Sequence, residues 1–129
     1  MPSACIDTDQ DGYERALAGA PDAVMLPGGT LISTCLRRVR TDADLQNLGA
    51  TVHAVAEELA ARAREAGDAR AALRLGFLSA AVSRGASHSN GISSELARRV
   101  ETTGSGVRER STAMARALDK GLAAGAAHG

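Results

Sequence analysis

Aromatic side chains are nearly missing from this 129-residue chain, which has no Trp, one Tyr (Tyr13) and one Phe (Phe77). A core without them is built from Leu, Val, Ile and closely approaching Ala. Lysine is almost absent too, since Lys120 is the only one among 15 basic side chains. The Arg skew suits bidentate carboxylate or phosphate binding, but the nucleotide bias of a GC-rich genome, which also enriches Ala and Gly, explains the same letters. There is no excess of either charge, 15 basic against 15 acidic, so no global field draws in nucleic acid or an anionic membrane. No run approaches the ~20 apolar residues of a membrane span. The start, Met1-Pro2-Ser3-Ala4-Cys5-Ile6-Asp7, has neither a basic n-region nor an apolar stretch and does not read as a signal peptide. Cys5 and Cys35 form no CxxC and have no His or acid cluster at ligand spacing. A disulfide is open to them but unsupported, and the expected address is the cytoplasm with both thiols reduced.

What is present is helix former: Ala, Leu, Arg and Glu, with few of the β-branched and aromatic residues that strands use. The expected fold is all-α, a bundle of four main helices plus a short N-terminal helix. Residues 1–129 form one domain, with 1–8 and 125–129 frayed. The most regular stretch runs from Asp42 to Gly67, where Leu45, Leu48, Val52, Val55 and Leu59 wind a 3-4 stripe along one helix face. Thr41 or Asp42 caps it and Gly67 closes it. Asp68 then caps a helix from Ala69 to about Arg84, antiparallel to the first because the turn is so short. Its stripe of Leu73, Phe77, Ala80 and Ala81 is widened by Leu75, Leu78 and Val82, with Gly76 allowing close approach. This helix is expected to be central.

Upstream, DQDGYERALAG reads as a short helix capped by Thr8 or Asp7, with Tyr13 and Leu17 as its buried pair. Residues 20–29 read as an irregular connection ending in a Pro-Gly-Gly turn. TLISTCLRRVR follows as a helix burying Leu31, Cys35 and Val39. Downstream, GASHSNG at 85–91 breaks the chain, and Ser89 or Asn90 caps a helix from Ile92 to about Thr102. Thr103-Gly104-Ser105-Gly106 reads as a flexible connection. A last helix follows from Val107 to about Ala124, with Ala117, Gly121 and Gly125 as a small-residue ridge.

No motif dictates a chemistry, no catalytic or metal-ligating set is assigned, and no cofactor is expected. The leading expectation is a small non-catalytic interaction or regulatory module, a homodimer or a partner-bound subunit. It rests on the wide stripe of the 69–84 helix and the ridge of the last helix, which together exceed what one small bundle readily buries. The alternative is a DNA-binding regulator through a helix-turn-helix-like segment at 92–116, with Arg98, Arg99, Arg108 and Arg110 reaching the nucleic acid. Against it, residues 92–129 carry six bases and four acids, only +2. A third reading uses the loop at His88, where Arg84, His88, Ser89, Asn90 and Arg99 surround a helix start that offers N–H groups to a phosphate or carboxylate. A Ser/His pair there lacks an orienting carboxylate and an oxyanion hole. His53 and Glu57, four apart, read as an exposed ion pair, with no second pair to complete a metal site.

LRLGFLSAAVSRGASHSNGISSELARRVE, together with the terminal GLAAGAAHG, resembles small Ala- and Arg-rich helical proteins of actinobacteria that carry no assigned activity. The resemblance implies a bacterial, all-helical protein and lends no functional residue.

Overall fold

A computed structural model describes residues 1–129, which fold into seven α-helices and no sheet. Two pairs of long helices form the frame: α4 (Asp42–Ala66), α5 (Ala69–Ala86), α6 (Ser94–Arg108) and α7 (Thr112–His128). Each is punctuated by local chemistry. The Thr41 hydroxyl accepts from Asp44 N–H, the Asp68 carboxylate from Arg70 and Ala71 N–H, and the Ser111 hydroxyl from Met114 N–H. These bonds satisfy donors that a helix start leaves free. Gly67 ends α4 at φ +67°, a left-handed conformation that costs glycine little. The chain reverses there, so α5 runs antiparallel to α4.

The stripe of α4 is buried as its spacing requires, through Leu48, Val52, Val55 and Leu59, with Leu45 half-buried and Ala56, Ala60 and Ala63 beside it. α5 is the central helix and packs against α4, α6, α7 and the short helix Ile32–Arg37. Its closest neighbour is α7, and glycine sets the separation. A Cβ on Gly121 would overlap the Leu73 carbonyl oxygen, one on Gly125 that of Phe77, and one on Gly76 that of Leu118. The pairs Leu73–Gly121 and Phe77–Gly125 advance together along both helices, so α5 and α7 run parallel with α6 antiparallel between them. The long helices therefore go up, down, up, down.

Three shorter helices cover one end. α1 (Ser3–Asp7), α2 (Gln10–Leu17) and α3 (Ile32–Arg37) surround the 18–31 connection, which holds a 3₁₀ turn at Pro27–Gly29 and a single antiparallel bridge between Leu26 and Thr30. α3 meets α5 where Gly85 lies under the Ser33 carbonyl and Leu36. α2 is tied to α4 by the Glu14–Arg62 ion pair. Tyr13, Leu17, Val24, Leu26, Ile32 and Leu36 all fall in one 31-residue apolar core with the four long helices. No helix is long and apolar enough to cross a membrane.

Several expectations are corrected. Cys5 and Cys35 are not reduced thiols but a disulfide with Cα atoms 5.4 Å apart, both buried. The partners are 30 residues apart in sequence, and only the folding of α1 against the rest of the bundle brings them together. Residues 3–7 are consequently helical and anchored rather than frayed. The other terminus is also held, for α7 continues to His128 and the buried Gly129 carbonyl accepts from Ser33 N–H. Thr103–Gly106 is not a connection but the interior of α6, where packing of Gly104 beside Leu118 and Val107 outweighs the weak propensity of two glycines. The break between α6 and α7 falls instead at Glu109–Ser111. The α2 cap is Asp9, not Thr8 or Asp7, and the second helix shrinks from 30–40 to Ile32–Arg37, burying Ile32 and Leu36 with Cys35 while Leu31 stays half-buried.

Candidate ligand-binding groove

On α5, Ser79, Ala80, Ser83 and Arg84 recur at i, i+1, i+4 and i+5, the spacing of one helix face. That face looks into the gap between α6 and α7. α7 contributes Leu118, Leu122 and Ala126, again at four-residue spacing, and α6 contributes Glu101, Gly104, Ser105 and Arg108. Together they line an open groove of about 650 Å³, within the range that small-molecule sites occupy. Its floor is apolar. The very close α5–α7 contact leaves α6 standing off from α7, which opens the gap.

The polar groups of the groove differ in how they are satisfied. Arg108 reaches across to Asp119 at 2.6 Å. That hydrogen bond raises the Arg108 pKa and lowers that of Asp119, each being the first cause of the shift. Ser83 Oγ donates to Glu101 Oε1 at 2.9 Å and links α5 to α6. Arg84 is different. Its Nη1 is buried and has no acceptor anywhere in the chain, and no carboxylate lies within ion-pair distance of its guanidinium. It forms part of the wall between this groove and a second hollow edged by Asp22, Ala23, Met25, Leu31, Ala127 and His128. A buried guanidinium N–H without a partner is costly, and such groups commonly find one in a bound ligand, ion or water.

Of the residues expected around His88, only Arg84 lies in the groove. Ser89 is buried, donating to the Ala86 carbonyl and accepting from Ser93 N–H, so it holds the turn rather than facing a ligand. It does not cap α6, whose N-cap residue is Ser93, and the Ser93 hydroxyl donates to the Leu36 carbonyl of α3. His88 and Asn90 are exposed, and Asn90 adopts φ +56° to turn the chain. Arg99 sits elsewhere on α6, paired with Glu95. The five residues therefore do not converge.

The four arginines of the helix-turn-helix reading are also dispersed. Arg98 and Arg99 both engage Glu95, whose pKa is lowered chiefly by the Arg98 hydrogen bond. Arg99 and Arg108 are nine residues apart in one continuous helix, about 180° around its axis, so they point to opposite sides. His53 and Glu57 stand 3.9 Å apart on the exposed side of α4, as their spacing suggests. Sequence reasoning missed Ser79, Ser83, Glu101 and Leu122 as lining, with Arg84, one groove. Their own helical spacings were visible, but not which three helix faces would meet.

The fold and groove define a disulfide-stapled, four-helix-bundle domain with a small amphipathic cleft. No family model, curated protein or solved structure matches this chain.

Proposed function

We propose that the protein is a non-catalytic binding module that works through the groove between α5, α6 and α7. The observation that carries this reading is the unpartnered Arg84 Nη1 beside an apolar floor. One nitrogen of the half-buried Arg84 guanidinium is left without an acceptor, which costs the fold, and a bound anion would offset that cost. Ser83 and Glu101 form a hydroxyl–carboxylate contact in the same groove, but without a third group to orient it their bond is best read as a helix-to-helix tie.

Binding to a ligand or partner is favoured over self-association. The wide stripe of α5 and the Gly121–Gly125 ridge of α7, which suggested a dimer, are spent on each other and on α3, α4 and α6. The large apolar side chains left exposed are Met1, Ile6 and Met25, none of them in the groove. The cystine favours an oxidising compartment over the expected cytoplasm, because cytosolic thiols are kept reduced.

Light scattering over a dilution series tests the oligomeric part of the proposal. A single monomeric mass at every concentration is expected, and a dimer that survives dilution would return α5 or α7 to consideration as an interface. Small-ligand titration tests the groove itself.

A further inference from the structure

We infer that the groove takes a medium-chain aliphatic carboxylate, with the carboxylate on Arg84 and the chain along Leu118, Leu122 and Ala126. The inference rests on the binding reading above and names its ligand class. Three features of the groove select this chemistry. Arg84 supplies a planar fork of donors with no acid within ion-pair distance, which matches a carboxylate in geometry and charge. The charge around it selects a monoanion. Arg84 and Arg108 are balanced by Glu101 and Asp119, and Arg108 is already occupied by Asp119. A phosphate or a polyanion would bring its second charge toward Glu101 with no free cation to receive it, whereas a single carboxylate needs only Arg84. The length of the floor then selects an extended apolar tail. Leu118, Leu122 and Ala126 lie at i, i+4 and i+8 on α7, a strip of roughly 12 Å at the helical rise, with Ala80 of α5 along its side.

The test uses the oxidised full-length protein and three probes that share one tail: octanoate, octylamine and octanol. Backbone amide shifts are followed during each titration. Octanoate is expected to move resonances of Ser79 to Arg84, Gly104 and Leu118 to Ala126, while octylamine leaves them in place and octanol moves them only weakly. Arg84→Met should weaken octanoate at least about tenfold, the scale of a lost charge-assisted hydrogen bond, and leave octanol unchanged. Ala126→Phe, at an exposed helical position, should fill the end of the groove and weaken both without unfolding the domain. Equal shifts from all three probes would overturn carboxylate recognition and leave the groove as a binding site. Octanoate affinity retained in Arg84→Met would do the same. Silence of the groove toward every probe would overturn the ligand class and the binding reading together.

Discussion

Among the four side chains with a buried polar atom that has no partner, Thr8, Tyr13, Arg62 and Arg84, the tyrosine and Arg84 contrast most. Tyr13 is fully buried in the core and its hydroxyl has no acceptor, so burial pushes its pKa up from 10.0 to about 12. The folded state therefore holds the proton more tightly than the unfolded chain. The stability this provides is complete below pH 10.0 and is lost as pH rises toward about 12, a decline of roughly 2–3 kcal/mol. Urea midpoints at pH 9 and at pH 11.5 should show that decline in the native protein and lose most of it in Tyr13→Phe. Arg84 is the opposite case, a half-buried charge whose Nη1 has no acceptor in the chain and which we propose pairs with a ligand. Arg84→Met should be no less stable than the native protein and up to ~1–2 kcal/mol more stable, because it removes an unmet desolvation cost. A loss of stability in the same urea measurement would mean that the guanidinium already has a partner. Tyr13 was recognisable as a core residue from its spacing with Leu17. Arg84 was singled out for its proximity in sequence to His88, whereas the groove it lines is completed by α6 and α7.

At the scale of the element, α6 and α7 show how the same residue type acts oppositely at two positions. Gly121 and Gly104 are both buried glycines in helix interiors, so both forgo up to ~1 kcal/mol of propensity relative to Ala. At Gly121 a Cβ would overlap the Leu73 carbonyl and press on Phe77 N, both main-chain atoms that cannot turn aside. Overpacking then exceeds propensity, and Gly121→Ala should cost about 2–4 kcal/mol. At Gly104 the nearest atoms to a new Cβ are the Leu118 methyl carbons at 3.8 Å, an ordinary contact. Gly104→Ala should therefore be neutral or stabilising by up to ~1 kcal/mol. Thermal melts of the two variants should move in opposite directions. The ridge at Gly121 and Gly125 was legible in the four-residue spacing of small residues. The continuity of α6 through Gly104 and Gly106 was not, because local propensity argues for a break and only burial against Leu118 overrides it.

For the whole molecule the disulfide decides how α1 is held. Cys5–Cys35 closes a 30-residue separation, for which the chain-entropy account gives about 3–4 kcal/mol of stabilisation. A Cys5→Ser/Cys35→Ser double variant should lose stability on that scale in denaturant and release α1 first, seen as early loss of amide protection at residues 3–7. The four-helix frame should persist, since α4–α7 share most of the core without residues 1–37. Uniform loss of protection across α4–α7 at the same denaturant concentration would show that the covering helices and the frame form a single cooperative unit.

The sequence by itself determined the class of fold, the long helices α4 and α5 with their buried stripes, and the existence of α7 but not its start. It also determined the tight α4–α5 reversal at Gly67 and the central place of α5. Those features follow from local periodicity, capping and turn chemistry, which act over one or two helical turns. Tertiary structure alone decided the Cys5–Cys35 pairing, the unbroken course of α6 and the assembly of Arg84, Glu101, Ser105 and Leu122 around one groove. Each of these depends on which faces touch across tens of residues, and helical spacing specifies a face without specifying what will lie against it.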